Sequence, residues 1–108
     1  MKYDRRKIYA VKTPNEIILS HVLDIAIGLD YRLGMDKFAY ISRNAKVVYL
    51  KPNHGNRHGV LDGNEIFPVT MDSTEEYYYH NVDRHGYTPV TFADLEHFLG
   101  EYLEYKKI

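Results

Sequence analysis

Histidine is the residue best suited to chemistry in this sequence, and four of its six histidines, His54, His58, His80 and His85, fall in segments read as loops or strand ends. If those segments adjoin, three or four imidazoles could converge on a zinc or other transition-metal ion. The spacing of His54 and His58 would align them on a helix, but Pro52, Gly55 and Gly59 argue against a helix there. His80 and His85 stand five apart and point to opposite sides of a regular strand. Asp62 and Asp83 are the nearest carboxylates that could ligate a metal or orient an imidazole. A metal site with hydrolase or nuclease chemistry is therefore one alternative. His21 and His97 lie in segments read as helices and take structural roles.

Other catalytic chemistries find no support. The chain has no cysteine, which excludes disulfides, thiolate zinc sites, iron–sulfur clusters and cysteine nucleophiles. Its seven glycines are scattered and form no phosphate-binding loop. Ser20, Ser42 and Ser73 lack the glycine context of a nucleophile elbow. Glu75-Glu76 beside Asp72 reads as a solvated acidic turn. The expectation is a non-enzymatic protein with no cofactor.

Fourteen basic and 15 acidic residues give a net charge of −1, so there is no chain-wide attraction to nucleic acid. The positive charge is nevertheless uneven. Lys2, Arg5, Arg6, Lys7 and Lys12 make the N-terminus basic, and Arg43, Lys46, Lys51 and Arg57 add charge around a first hairpin. With Tyr3, Tyr9, Tyr40 and Tyr49 between them, they could supply phosphate contacts and stacking surfaces. Arg5, Arg6, Lys7, Arg43 and Lys46 thus define a nucleic-acid-binding alternative.

The unusual feature is eleven tyrosines against four phenylalanines and no tryptophan. Tyrosine combines a large apolar ring with a hydroxyl, and tyrosine and arginine dominate interface hot spots. Tyr40, Tyr49, Tyr77, Tyr79, Arg57 and Arg84 are accordingly the candidate binding residues. The leading expectation is a small interaction or regulatory module that binds another protein, or a copy of itself, through a Tyr-rich sheet face or edge.

The elements that must position these residues follow from periodicity. Ile8–Val11 reads as a first strand, with Ile8 and Ala10 on one face and Tyr9 and Val11 on the other. Thr13-Pro14-Asn15-Glu16 reads as a helix start with Thr13 as cap, followed by an apolar stripe at Ile17, Ile18, Val22, Ile25, Ala26 and Leu29. A hairpin is predicted from Phe38–Ser42 and Lys46–Leu50, and a second around Asp62-Gly63, with Pro68 making its second strand an edge or ending it. The run Glu76–Val82, EYYYHNV, reads as a further strand. Thr91 and Asp94 form a capping box for a last helix whose apolar face is Phe92, Leu95, Phe98, Leu99 and Tyr102.

These elements predict a single α+β domain over residues 1–108. A mostly antiparallel five- or six-stranded sheet carries two amphipathic helices on one face, in the order β-α-β-β-β-β-β-α. That arrangement leaves the other sheet face open. The N-terminus is charged, and the longest apolar stretch, Ile17–Leu29, is interrupted and too short to span a bilayer. A cytoplasmic protein without membrane contact is the expectation.

Overall fold

A computed structural model describes residues 1–33, 44–52, 60–61, 64–65 and 67–107. Its main elements run β-α-β-β-α-β-α. They are strand β1 (Tyr9–Lys12), helix α1 (Glu16–Gly28), β3 (Val47–Leu50), β6 (Pro68–Asp72), helix α2 (Glu76–His85), β7 (Thr88–Pro89) and helix α3 (Phe92–Lys107). Three two-residue pieces complete the set: β2 (Arg32–Leu33), β4 (Val60–Leu61) and β5 (Asn64–Glu65). The class is α+β, but the element order differs from the expected one: among the described residues four main strands and three helices stand where five or six strands and two helices were predicted.

β1, β3 and β6 form the centre of the sheet through antiparallel pairs, such as Ala10 with Tyr49 and Val48 with Met71. At the edges, β7 joins β1 and β2 joins β6, both in parallel, giving the order β2-β6-β3-β1-β7. β4 and β5 pair separately, Leu61 opposite Asn64, and so bracket the predicted turn dipeptide 62–63. Pro68 opens β6 instead of ending a strand. At the first position of a strand its missing N–H costs the ladder least, while its carbonyl still accepts from the Lys51 N–H at 3.0 Å. The predicted strand Phe38–Ser42 lies outside the described residues.

Alternation along the strands sends side chains into two unequal layers. Tyr9, Val11, Val48, Leu50, Val69 and Met71 face α1 and α3, joining Leu19, Val22, Ile25, Ala26, Leu29, Leu95 and Phe98 in the main core. The two helices approach closely where Gly28 meets α3, since a Cβ at that position would lie 2.9 Å from Leu99 Cδ1. Ala10, Val47 and Tyr49 face the other way and are covered by Tyr78, Val82 and Tyr87. The face expected to be open is thus occupied by α2, the segment read as a strand.

The helix starts show how local chemistry places these layers. The cap of α1 is Asn15, whose Oδ1 accepts the Ile18 N–H at 2.9 Å. Thr13 is not the cap. It is fully buried and continues β1, its N–H bonded to the Lys46 carbonyl at 2.8 Å and its hydroxyl donating to the Ala45 carbonyl at 3.1 Å. One predicted stripe residue, Ile17, lies on the solvent side of α1. At α3 the capping box is present as predicted. The Asp94 N–H donates to Thr91 Oγ1 at 3.1 Å, and the Thr91 N–H donates to Asp94 Oδ2 at 2.9 Å.

Candidate functional site

Of the basic N-terminal segment the fold uses Arg5, while Lys2, Arg6 and Lys7 stay exposed. The Asp4 N–H donates to the Tyr9 hydroxyl at 2.7 Å, and the Tyr3 ring packs on Tyr9 and Phe98, closing one end of the core. Arg5 turns inward: its guanidinium donates to the Leu29 and Asp30 carbonyls at 3.0 and 3.2 Å and to the Tyr102 hydroxyl at 3.0 Å. It also lies 3.6 Å from the Phe67 ring centroid. A cation at the C-terminus of α1 meets carbonyls that have no helical partner. Arg6 is paired with Asp4 at 3.1 Å, while Lys7 and Lys46 are exposed.

Tyr49, predicted as a binding residue, is only 3% exposed, and its hydroxyl has no hydrogen-bond partner among the described residues. Burial pushes its pKa up to about 12, with the side chains of Asn81 and Asp72 close by. Its ring meets Tyr87 edge-on at 5.4 Å. Tyr49 therefore supports α2 from beneath and presents no surface. Tyr40, Arg43, His54, Arg57 and His58 lie outside the described residues.

The remaining predicted residues gather on α2. Ten residues long, this helix has an acidic first turn at Glu76, Arg84 and His85 in its last turn, and Gly86 as a left-handed terminus at φ 69°. The Gly86 and Tyr87 N–H groups both donate to the Asn81 carbonyl. No α2 residue is fully buried. Tyr78 and Val82, four apart, rest on the sheet, while Tyr77 and Tyr79 are 56% and 50% exposed. Tyr77, His80 and Arg84 follow at spacings of three and four and so share one outward stripe.

Lys12, at the end of β1, ties the flank of α2 to the sheet. Its ammonium donates to the Tyr79 hydroxyl and stands 4.9 and 4.4 Å from the ring centroids of Tyr78 and Tyr79. That hydrogen bond pushes the Lys12 pKa above its ordinary value. Sequence reasoning counted Lys12 only within a basic stretch. The four-residue spacing of Tyr78 and Val82, followed by Arg-His-Gly, is the signal that would have revealed the helix beside it.

Two of the four candidate metal ligands meet. His80 and His85 bring their Nε2 atoms to 3.2 Å, with ring centroids 4.9 Å apart and planes inclined by 72°. Five residues apart they stand about 140° from each other around a regular helix, so it is the reach of the two side chains at the end of α2 that brings the rings together. Among the described residues no group of three His, Asp or Glu side chains could hold a metal ion. No helix among them is long and apolar enough to cross a membrane. No protein-family model matches the sequence, and neither a curated protein nor a solved structure is detectably similar to it.

Proposed function

We propose that this small tyrosine-rich domain is a non-enzymatic interaction module whose docking surface is the outer side of α2. The observation that carries the reading is the pair of half-exposed rings, Tyr77 and Tyr79, on a helix that buries none of its own residues completely. Large rings left in water by the fold are available for desolvation by a partner, and few torsions must be frozen to place them. Arg84 on the Tyr77 stripe adds the other residue type favoured at interface hot spots. The tyrosine surface is thus carried by a helix and not by the sheet face, because Tyr49 lies beneath that helix.

Nucleic-acid binding receives less support. Arg5 is spent on α1, Arg6 is paired with Asp4, and Tyr9 and Tyr49 are buried, so they offer no stacking face.

The test compares wild type with a Tyr77→Ala, Tyr79→Ala double variant, both immobilised for capture and both sedimented as purified chains. A bound protein, or a solution mass above 12.7 kDa, that is present for wild type and lost from the folded double variant is the expected result. Identical capture and identical mass for the two proteins would refute the reading.

A further inference from the structure

We infer that His80 and His85 form a two-imidazole chelate for a late first-row divalent metal ion, with its remaining coordination positions open to water or to another donor. The proposal goes beyond the docking reading and holds or fails independently of it. It rests on the shape of the histidine pair. An ion bound at about 2.0–2.1 Å to each of two nitrogens, near the tetrahedral angle, holds them roughly 3.3 Å apart. The Nε2 atoms lie at 3.2 Å.

The ring positions sharpen this. Two imidazoles aimed straight at each other through one shared proton at that separation would hold their centroids about 5.5 Å apart. Two imidazoles aimed at a common ion about 2 Å from each nitrogen would hold them about 5.0 Å apart. The observed centroid separation is 4.9 Å. The rings therefore do not lie along one line, and their separation is that of two imidazoles on a common ion.

The surroundings favour a chelate. His85 occupies the last turn of α2 with its ring 6.5 Å from that of Tyr87, which in turn meets buried Tyr49. His80 approaches from the preceding turn. Both imidazoles are exposed, and among the described residues nothing but its own chain neighbours approaches the point where a side chain on Gly86 would begin. An incoming ion can thus keep water ligands, and the site closes without burying charge. Imidazole suits copper, nickel and zinc, and the usual order of divalent affinities places copper first. The chelate also requires both rings to be neutral, so protons compete with the metal.

The experiment titrates the chelator-treated full chain with copper(II) alone and with zinc(II) alone. Calorimetry provides stoichiometry and affinity, and imidazole NMR resonances are followed during the zinc titration. One ion per chain is expected, with His80 and His85 resonances moving together. His80→Gln and His85→Gln should each weaken binding by about tenfold or more, because the second ligand of a chelate acts at high effective concentration. His97→Gln should leave binding unchanged, since His97 stands with Glu101 on α3, 2.7 Å from its carboxylate. No one-to-one binding, binding that survives in the His80→Gln, His85→Gln double variant, or zinc shifts confined to other histidines would overturn the proposal. The NMR result reads the wild-type chain directly, so it stands even if a variant folds poorly.

Discussion

The two faces of the sheet are built from alternate residues of the same strands, yet they are different materials. On one side, Tyr9, Val11, Val48 and Leu50 meet α1 and α3 in a core where Leu95, Phe98, Val22 and Leu29 are wholly buried. On the other side, three sheet residues, Ala10, Val47 and Tyr49, meet a helix whose contacting residues are only partly buried. The first layer is further locked by polar groups. Arg5 bonds the end of α1, and Tyr102 and Lys106 of α3 both donate to Asp30 just beyond it, at 2.6 and 3.1 Å. In the second layer, among the described residues, Lys12 ties α2 to the sheet through Tyr79. Burial holds the fold on one side and leaves side chains presented on the other, and the proposed functional groups all lie on the thin side.

The largest test of that contrast removes one side chain from each layer. Phe98→Ala should cost about 3–5 kcal/mol of unfolding free energy, a large share of what a domain of this size possesses. Val82→Ala under α2 should cost about 1 kcal/mol or less, because its contacts are only partly withdrawn from water. Denaturant unfolding of both variants measures the gap. Equal losses would mean that α2 is as integral to the fold as α3.

The sequence was most legible where the contrast is strongest. α1 and α3 bury continuous stripes, so their 3.6-residue periodicity is written over several turns, and the Thr91–Asp94 box was readable from two residues. The start of α1 was misplaced because Thr13 and Asn15 are both good caps, and only the pairing of Thr13 with Ala45 and Lys46 decides between them. α2 was misread for a physical reason. The hydrophobic residues that face inward are Tyr78 and Val82, and over three consecutive tyrosines a 100° step and a 180° step both put Tyr78 inside and its neighbours outside. The strand preference of tyrosine then favoured the wrong period, although Gly86 after Arg84 and His85 marked a helix end. β7 is two residues long and carries no pattern at all. The histidine pair carries no sequence signal, since a spacing of five aligns two residues neither on a strand nor on a helix, and its members meet through their side chains.

A smaller effect should be confined to the thin layer. Gly86 sits at φ 69°, and among the described residues Gly86→Ala meets no steric neighbour beyond its own chain neighbours, so its cost is that of the left-handed backbone. The expected cost is about 1 kcal/mol. If α2 opens on its own, that cost should appear as faster amide exchange in Glu76–His85, with little change in the amides of α1 and α3. Uniform acceleration across all three helices would instead show that α2 unfolds only with the whole sheet.

The smallest effect concerns acid and belongs to the thick layer. The hydrogen bond from Tyr102, then that from Lys106, holds the Asp30 carboxyl below its ordinary value of 3.8. A group depressed in this way contributes stability that is fully present above the unfolded value and is lost as pH falls through the folded one. Asp4 and Asp94 are depressed as well, by Arg6 and by the Thr91 N–H, so acid lability alone does not identify Asp30. The comparison with Asp30→Asn does. Asparagine tolerates the positive φ of 65° at this position and keeps the shape while abolishing the titration. The difference in Tm between wild type and variant should be constant from pH 7 down to about 4 and shrink below that. Asp30 is half exposed, so the gap should be small and should narrow further in salt. A difference that persists undiminished at pH 2 would mean that the carboxylate charge plays no part in holding the end of α1 against α3.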